Sequence, residues 1–188
     1  MKMDGGLLAK MSHLFRLASV WRRRTGMYHD HRGFSLIELL IVVAIILIIT
    51  AIAVPNFLRS RVAANQASAI ESMRIIATGE VTYATTFGTG YSATLTALGP
   101  PPAGQGPSST AAGLVDSSLA GGFKSGYTFA YTPSLFTTAT NSWNGYTLLA
   151  NPVAYGQTGG VFYYQDQSFV IRANSTTVAT STDESVGD

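Results

Sequence analysis

The chain has no cysteine, only 12% charged residues, and no histidine beyond Gly33, since His13, His29 and His31 all precede it. The first absence excludes disulfide staples and thiolate metal sites, so any fold must hold by packing alone. Without histidine, and without a nucleophile motif, a glycine-rich phosphate loop or a cluster of metal ligands, the region after Gly33 carries no enzymatic signature. Neither a cofactor nor a metal is implied. Asp116 and Asp166 stand isolated, which favours solvated turn residues over calcium ligands. Basic residues are also scarce: from Phe34 onward five (Arg59, Arg61, Arg74, Lys124, Arg172) face eight acids, a net of −3 against +2 for the whole chain. A nucleic-acid-binding surface needs clustered Lys and Arg, and this region has none.

What the chain has in excess is apolar side chains, 46% of 188 residues. They concentrate in Leu39 to Leu58, LLIVVAIILIITAIAVPNFL, twenty consecutive uncharged residues. At about 1.5 Å per residue this run makes roughly 30 Å of helix, enough to cross a hydrocarbon core. A cleaved secretory signal is the competing reading, but its apolar region is about 7–15 residues long and ends at a small-x-small site, which AIAVPNF fits poorly. Residues 1–33 carry seven Lys or Arg (Lys2, Lys10, Arg16, Arg22, Arg23, Arg24, Arg32) against Asp4 and Asp30. That bias places the N-terminal end in the cytoplasm and everything after Leu58 outside.

Beyond the apolar run, Val62, Ala69, Met73, Ile76 and Val81 recur at helical spacing among polar residues, which predicts an amphipathic continuation. Together the two parts form one expected helix from Phe34 to about Thr86, near 80 Å long by the same rise, so its distal half must pack outside the membrane. Residues 87–126 are rich in Gly, Ser, Thr, Ala and Pro, including Pro100, Pro101 and Pro102, and read as a long loop packed over the helix. Four runs of strand character follow: Gly126 to Pro133, Gly145 to Pro152, Gly160 to Asp166 and Ser168 to Ala173. They predict an antiparallel sheet over 127–173 that covers the amphipathic half of the helix, with Tyr127, Phe129, Tyr131, Phe162, Tyr163 and Tyr164 as its packing residues. Residues 174–188 hold seven Ser or Thr and three acids and are expected to be a flexible tail. The fold class expected is α+β.

At the junction of basic leader and apolar run stands Arg32-Gly33-Phe34-Ser35-Leu36-Ile37-Glu38-Leu39. It resembles the processing site of type IV prepilins, of the type IVa class, and of the related pseudopilins of type II secretion systems. The likeness rests on Gly33, an aromatic Phe34, an acid at the fifth position after Gly33, about twenty apolar residues, and Pro55. It covers mainly Arg32 to about Arg61.

The expected organisation is then 1–33 (basic leader), 34–60 (transmembrane helix), 61–86 (amphipathic half), 87–126 (loop), 127–173 (sheet) and 174–188 (tail), and the resemblance implies that the leader is cleaved and that 34–60 carries polymerisation. It implies cleavage between Gly33 and Phe34 by a prepilin peptidase that also N-methylates Phe34. Glu38 would then neutralise the new amine of a neighbour during assembly. The partners implied are that peptidase, identical subunits in a helical homopolymer, and an inner-membrane assembly platform driven by cytoplasmic ATPases. The subunit would rest in the cytoplasmic membrane, N-terminus in, before joining an extracellular fibre. Each residue also has a plainer reading: Gly33 as a turn, Glu38 snorkelling to water, and Pro55 as an ordinary kink in a transmembrane helix. A pseudopilin, or a monomeric anchored binding module, remains the alternative function.

Initiation at Met27 rather than Met1 or Met11 would leave a seven-residue leader, MYHDHRG, similar to those of the type IVa class. Residues 1–26 are accordingly expected to be absent from the precursor. Detection of a peptide spanning Met1 to Arg24 in peptidase-deficient cells would refute this.

Overall fold

The computed structural model describes residues 33–187. The expected leader lies outside the described residues except for Gly33, as do all three candidate start positions. The chain is α+β, with a long N-terminal helix, α1 (Leu36–Phe87), followed by an antiparallel sheet. It separates into two compact units between Ile46 and Leu47. The described part of the first unit, residues 33–46, is the start of α1, exposed at every position.

In the second unit the rest of α1 is followed by a 3-10 turn (Leu95–Leu98), a one-turn α2 (Ser117–Ala120) and six strands. These are β1 (Phe123–Lys124), β2 (Tyr127–Thr137), β3 (Ser142–Pro152), β4 (Phe162–Asp166), β5 (Arg172–Asn174) and β6 (Glu184–Ser185). Their spatial order is their chain order and every pairing is antiparallel, so the sheet is a simple meander. Its central hairpin, β2 with β3, aligns Phe129 with Ala150 and Tyr131 with Leu148. Side chains alternate between faces along a strand. Tyr127 and Phe129 on β2, Tyr146, Leu148 and Ala150 on β3, and Tyr163 on β4 therefore share one buried face. Tyr131, Phe162 and Tyr164 are half-buried.

That face closes over one stripe of α1, in which Ala69, Met73, Ile76 and Tyr83 join the sheet residues in a single cluster. Each large apolar side chain fully buried here contributes about 1.5–3 kcal/mol relative to exposure. The 87–126 segment, with little regular structure, seals the same core with Leu95, Leu98, Ala112, Val115 and Leu119. Gly79 on α1 lets this segment approach, with Leu114, Val115 and Leu98 at van der Waals distance from where a Cβ would stand. On the far side, Gly159 lies against the Tyr127 ring so closely that any Cβ would collide with it. The Tyr127 hydroxyl donates to the Val161 carbonyl at 2.8 Å.

Three expectations need correction. The sheet has six strands rather than four. The run Ser168 to Ala173 is strand only at its end, because Asp166 turns the chain. Its carboxylate accepts from Ser168 N–H at 2.8 Å, its carbonyl accepts from Phe169 N–H at 3.0 Å, and Phe169 has φ +62°. The segment expected as a flexible tail instead returns to the sheet: β6 pairs with β5, Val186 N–H donates to Ile171 at 2.8 Å, and Ala179 is buried. Asp183 holds this return by accepting from Thr180 N–H at 2.6 Å and Asn174 Nδ2 at 2.9 Å. A composition poor in apolar residues suggests disorder, but Ser, Thr, Asn and Asp build local turns through their own side chains.

On α1 the structure buries Glu80 completely and leaves Val81 45% exposed. Helical geometry explains this: seven residues after Met73 is nearly two full turns, whereas five after Ile76 points away. The Glu80 carboxylate accepts from Ser92 N–H at 2.8 Å and Ser92 Oγ at 2.6 Å. The Tyr131 hydroxyl donates to the Ser92 carbonyl at 2.8 Å, so helix, loop and sheet meet at one serine. Burial pushes the Glu80 carboxyl above its ordinary range, with the Ser92 bonds opposing the shift in part. An acid so raised favours folding fully below its unfolded pKa and loses that contribution as pH rises through the folded value.

Glu80→Gln is therefore expected to gain thermal stability relative to the parent as pH is raised from about 4.3, the unfolded glutamate value. Glu80→Ala should lose about 1–3 kcal/mol, because Ser92 N–H and Oγ lose their acceptor. Unfolding of the solubilised protein across a pH series checks both. A parent-minus-Gln difference that does not change with pH would refute the assignment.

Candidate functional site

The sequence places its candidate residues at the start of α1, and the local geometry there follows from a short pattern. Gly33, Phe34 and Ser35 are non-helical and exposed, and α1 begins at Leu36. Leu39 N–H donates to the Ser35 carbonyl at 3.2 Å, which makes Ser35 the residue that caps the helix. The Glu38 carboxylate reaches back to accept from Ser35 N–H at 2.9 Å. This is the acid-to-backbone half of a Ser-x-x-Glu capping box, and it also sets a negative charge on the positive end of the helix dipole. The pattern Ser35-x-x-Glu38 is legible in the sequence as a helix start, a third reading beside amine neutralisation and snorkelling.

The backbone at Gly33 is open: no atom lies within 4 Å of where a Cβ would be. Phe34 is 74% exposed. Phe34 and Glu38 thus stand four positions apart at the start of α1, with Gly33 just upstream. Pro55 lies further along, inside α1 with helical residues on both sides.

From Leu36 to Arg61 every residue is exposed, the large apolar ones included. By length and composition α1 is apolar enough to cross a membrane, and none of its apolar stretch is buried. Two hydroxyls within and just beyond the run bond back along the helix, Thr50 Oγ1 to the Leu47 carbonyl at 3.1 Å and Ser60 Oγ to the Asn56 carbonyl at 3.0 Å. Such back-bonding satisfies a hydroxyl without water.

The isolated acids do other work. Asp116 caps α2 by accepting from Leu119 N–H at 2.9 Å and pairs with Lys124 at 2.7 Å. That ammonium, then the capping bond, lowers its carboxyl pKa. Asp166 holds the turn after β4. Among the described residues no group of three or more His, Cys, Asp or Glu is placed to hold a metal.

Residues 28–54 match the family description of the prokaryotic N-terminal methylation motif. This segment is similar to the N-terminal segment of a type IV pilin. The chain is 43% identical over 53 residues to the type IV major pilin protein PilA of Myxococcus xanthus, a stretch that is 28% of this chain and 24% of that protein. The alignment thus spans about a quarter of the relative. No solved structure matches the chain. Sequence reasoning singled out Gly33, Phe34 and Glu38 but passed over Ser35, which caps α1.

The cap predicts a split between two substitutions. Glu38→Ala should speed hydrogen exchange of the Ser35 amide in detergent by several-fold, since that amide loses its acceptor. Glu38→Gln keeps an acceptor oxygen and should leave exchange nearly unchanged. Equal exchange in both variants would show that the side chain does not cap the helix in solution.

Proposed function

We propose that the chain is the precursor of a fibre-forming type IV pilin subunit, cut between Gly33 and Phe34, N-methylated at Phe34, and polymerised through α1. The observation that carries this reading is the uncovered apolar helix directly behind the methylation motif. A helix apolar on all sides is stable only in lipid or against other apolar helices. The membrane supplies the first cover before assembly, with the N-terminus in the cytoplasm, and identical subunits supply the second in the fibre. The whole-protein activity follows the family-like segment, whereas the sheet and the loop provide the surface.

Cleavage turns the Phe34 amide into a cationic amine, one turn from Glu38. In the isolated subunit Glu38 is engaged by Ser35 N–H; in the fibre it meets the amine of a neighbour. A misplaced subunit leaves both charges unpaired in an apolar setting, so the pair sets register more than it adds stability. Pro55 removes the amide that the Ala51 carbonyl would use, which makes this part of α1 the easiest to loosen during packing.

The mature protein is expected to begin at Phe34 with a methylated amine, as read by mass spectrometry of the terminal peptide from sheared surface fibres. An intact leader on the assembled subunit would sink the proposal. Glu38→Ala and Glu38→Gln should both be cleaved and inserted yet give little fibre, since neither supplies a negative charge. An unpaired buried charge typically costs 3–5 kcal/mol at each added subunit. Normal fibre yield from the Gln variant would restrict Glu38 to its capping role.

A further inference from the structure

In the second unit a groove of about 560 Å³ lies between α1 and the loop that joins β3 to β4. Leu58, Arg59, Arg61 and Gln66 line it from the helix, and Gln157 and Thr158 from the loop. Its loop wall is fixed from within. Gly156 N–H donates to the Gly159 carbonyl at 2.8 Å, Thr158 N–H donates to Ala154 at 2.9 Å, and Asn65 Nδ2 ties the Thr158 carbonyl to α1 at 2.9 Å.

The charges in the groove are unbalanced. No acidic residue lines it. Among the described residues the other cations have partners: Arg74 pairs with Glu71, Lys124 with Asp116, and Arg172 donates to the Asp183 carbonyl. Arg59 and Arg61 have none.

The place of the groove along the chain is as telling as its charge. Leu58 ends the twenty-residue apolar run, so Arg59 is the first residue past it. At about 1.5 Å per residue, both arginines fall within the first 5 Å beyond the hydrocarbon, where lipid phosphates lie. A guanidinium fork matches phosphate oxygens bidentately and desolvates more readily than an ammonium. The apolar part of the wall, Leu58 and Val62, suits the glycerol and upper acyl carbons, and the amides of Gln66 and Gln157 suit headgroup hydroxyls.

We propose that this groove binds the phosphate of an anionic lipid headgroup in the outer leaflet of the membrane that holds the subunit. The inference rests on the reading of Leu39 to Leu58 as a membrane span. Lipid retained here would hold the exported unit against the membrane surface until extraction, although that unit belongs to a region of net negative charge.

The test uses the mature chain in nanodiscs of phosphatidylcholine containing a minor share of phosphatidylglycerol, with native mass spectrometry of the released subunit. The parent should retain phosphatidylglycerol in preference to phosphatidylcholine. Arg59→Gln with Arg61→Gln should lower that preference by about 30-fold, from roughly fivefold per basic residue at an anionic surface. Arg59→Lys with Arg61→Lys keeps the charge and should retain part of it, with unchanged Trp143 fluorescence reporting an intact sheet in each variant. Equal retention of the two lipids by an inserted parent would overturn the groove alone, whereas failure to insert would overturn the membrane reading beneath it. Displacement of phosphatidylglycerol by excess inorganic phosphate would reassign the site to free phosphate. Loss of fibres without loss of lipid from the Gln pair would make the groove a subunit contact instead.

Discussion

The constraint on which everything else depends is that one helix, α1, changes its surroundings along its length. As far as Arg61 every described residue of it is exposed. From Ala69 to Tyr83 a single stripe is covered by sheet and loop while the opposite side stays polar and wet. Backbone hydrogen bonding is satisfied within a helix in either solvent, which is why one element serves both regimes. A strand could not do this without exposing unpaired amides to lipid. The apolar half needs cover from outside the fold, and the sheet closes on the face that the amphipathic half provides.

Within the second unit Glu80 makes a fully buried polar junction between α1 and the loop. A carboxylate with no cation beside it is a costly group to bury, tolerable only when its hydrogen bonds are made. Here both bonds come from Ser92, which also receives the Tyr131 hydroxyl, so α1, the loop and β2 are registered through one residue. The isolated bridges that set Gly90 and Tyr91 beside Trp143 of β3 continue the same junction. At Gly90 the backbone is left-handed, φ +71°, and runs against the Trp143 carbonyl, a place that only a residue without a side chain can fill.

Much of this was legible from residue order, and the misses have physical causes. The apolar run, the α+β class and the central strands follow from periodicity, because Tyr127, Phe129, Tyr146 and Leu148 announce a buried face by alternation. Glu80 was hidden because hydropathy assigns charged residues outward, so the stripe was traced through Val81 although the helical angle favoured its neighbour. The short strands β1 and β6 have two residues each, too few for any alternation to register. Ser35 escaped notice because a capping box was outweighed by a processing motif that occupies the same eight residues. At the candidate site, the motif gave residue identities but could give no geometry for Glu38.

Those two short strands have a consequence for how such a protein survives at high local concentration. A sheet edge is a row of unpaired amides and carbonyls, able to template the addition of a neighbour's strand. In this meander the outermost strands, Phe123–Lys124 and Glu184–Ser185, offer only two residues of edge each, and each includes a charged side chain. Addition of a neighbour's strand to either of these two strands therefore has little foothold. For crowded chains the exposed apolar run of the helix offers far more adhesive surface than either of these strands, so the direction of any association is set as much by what those strands refuse as by what the helix offers.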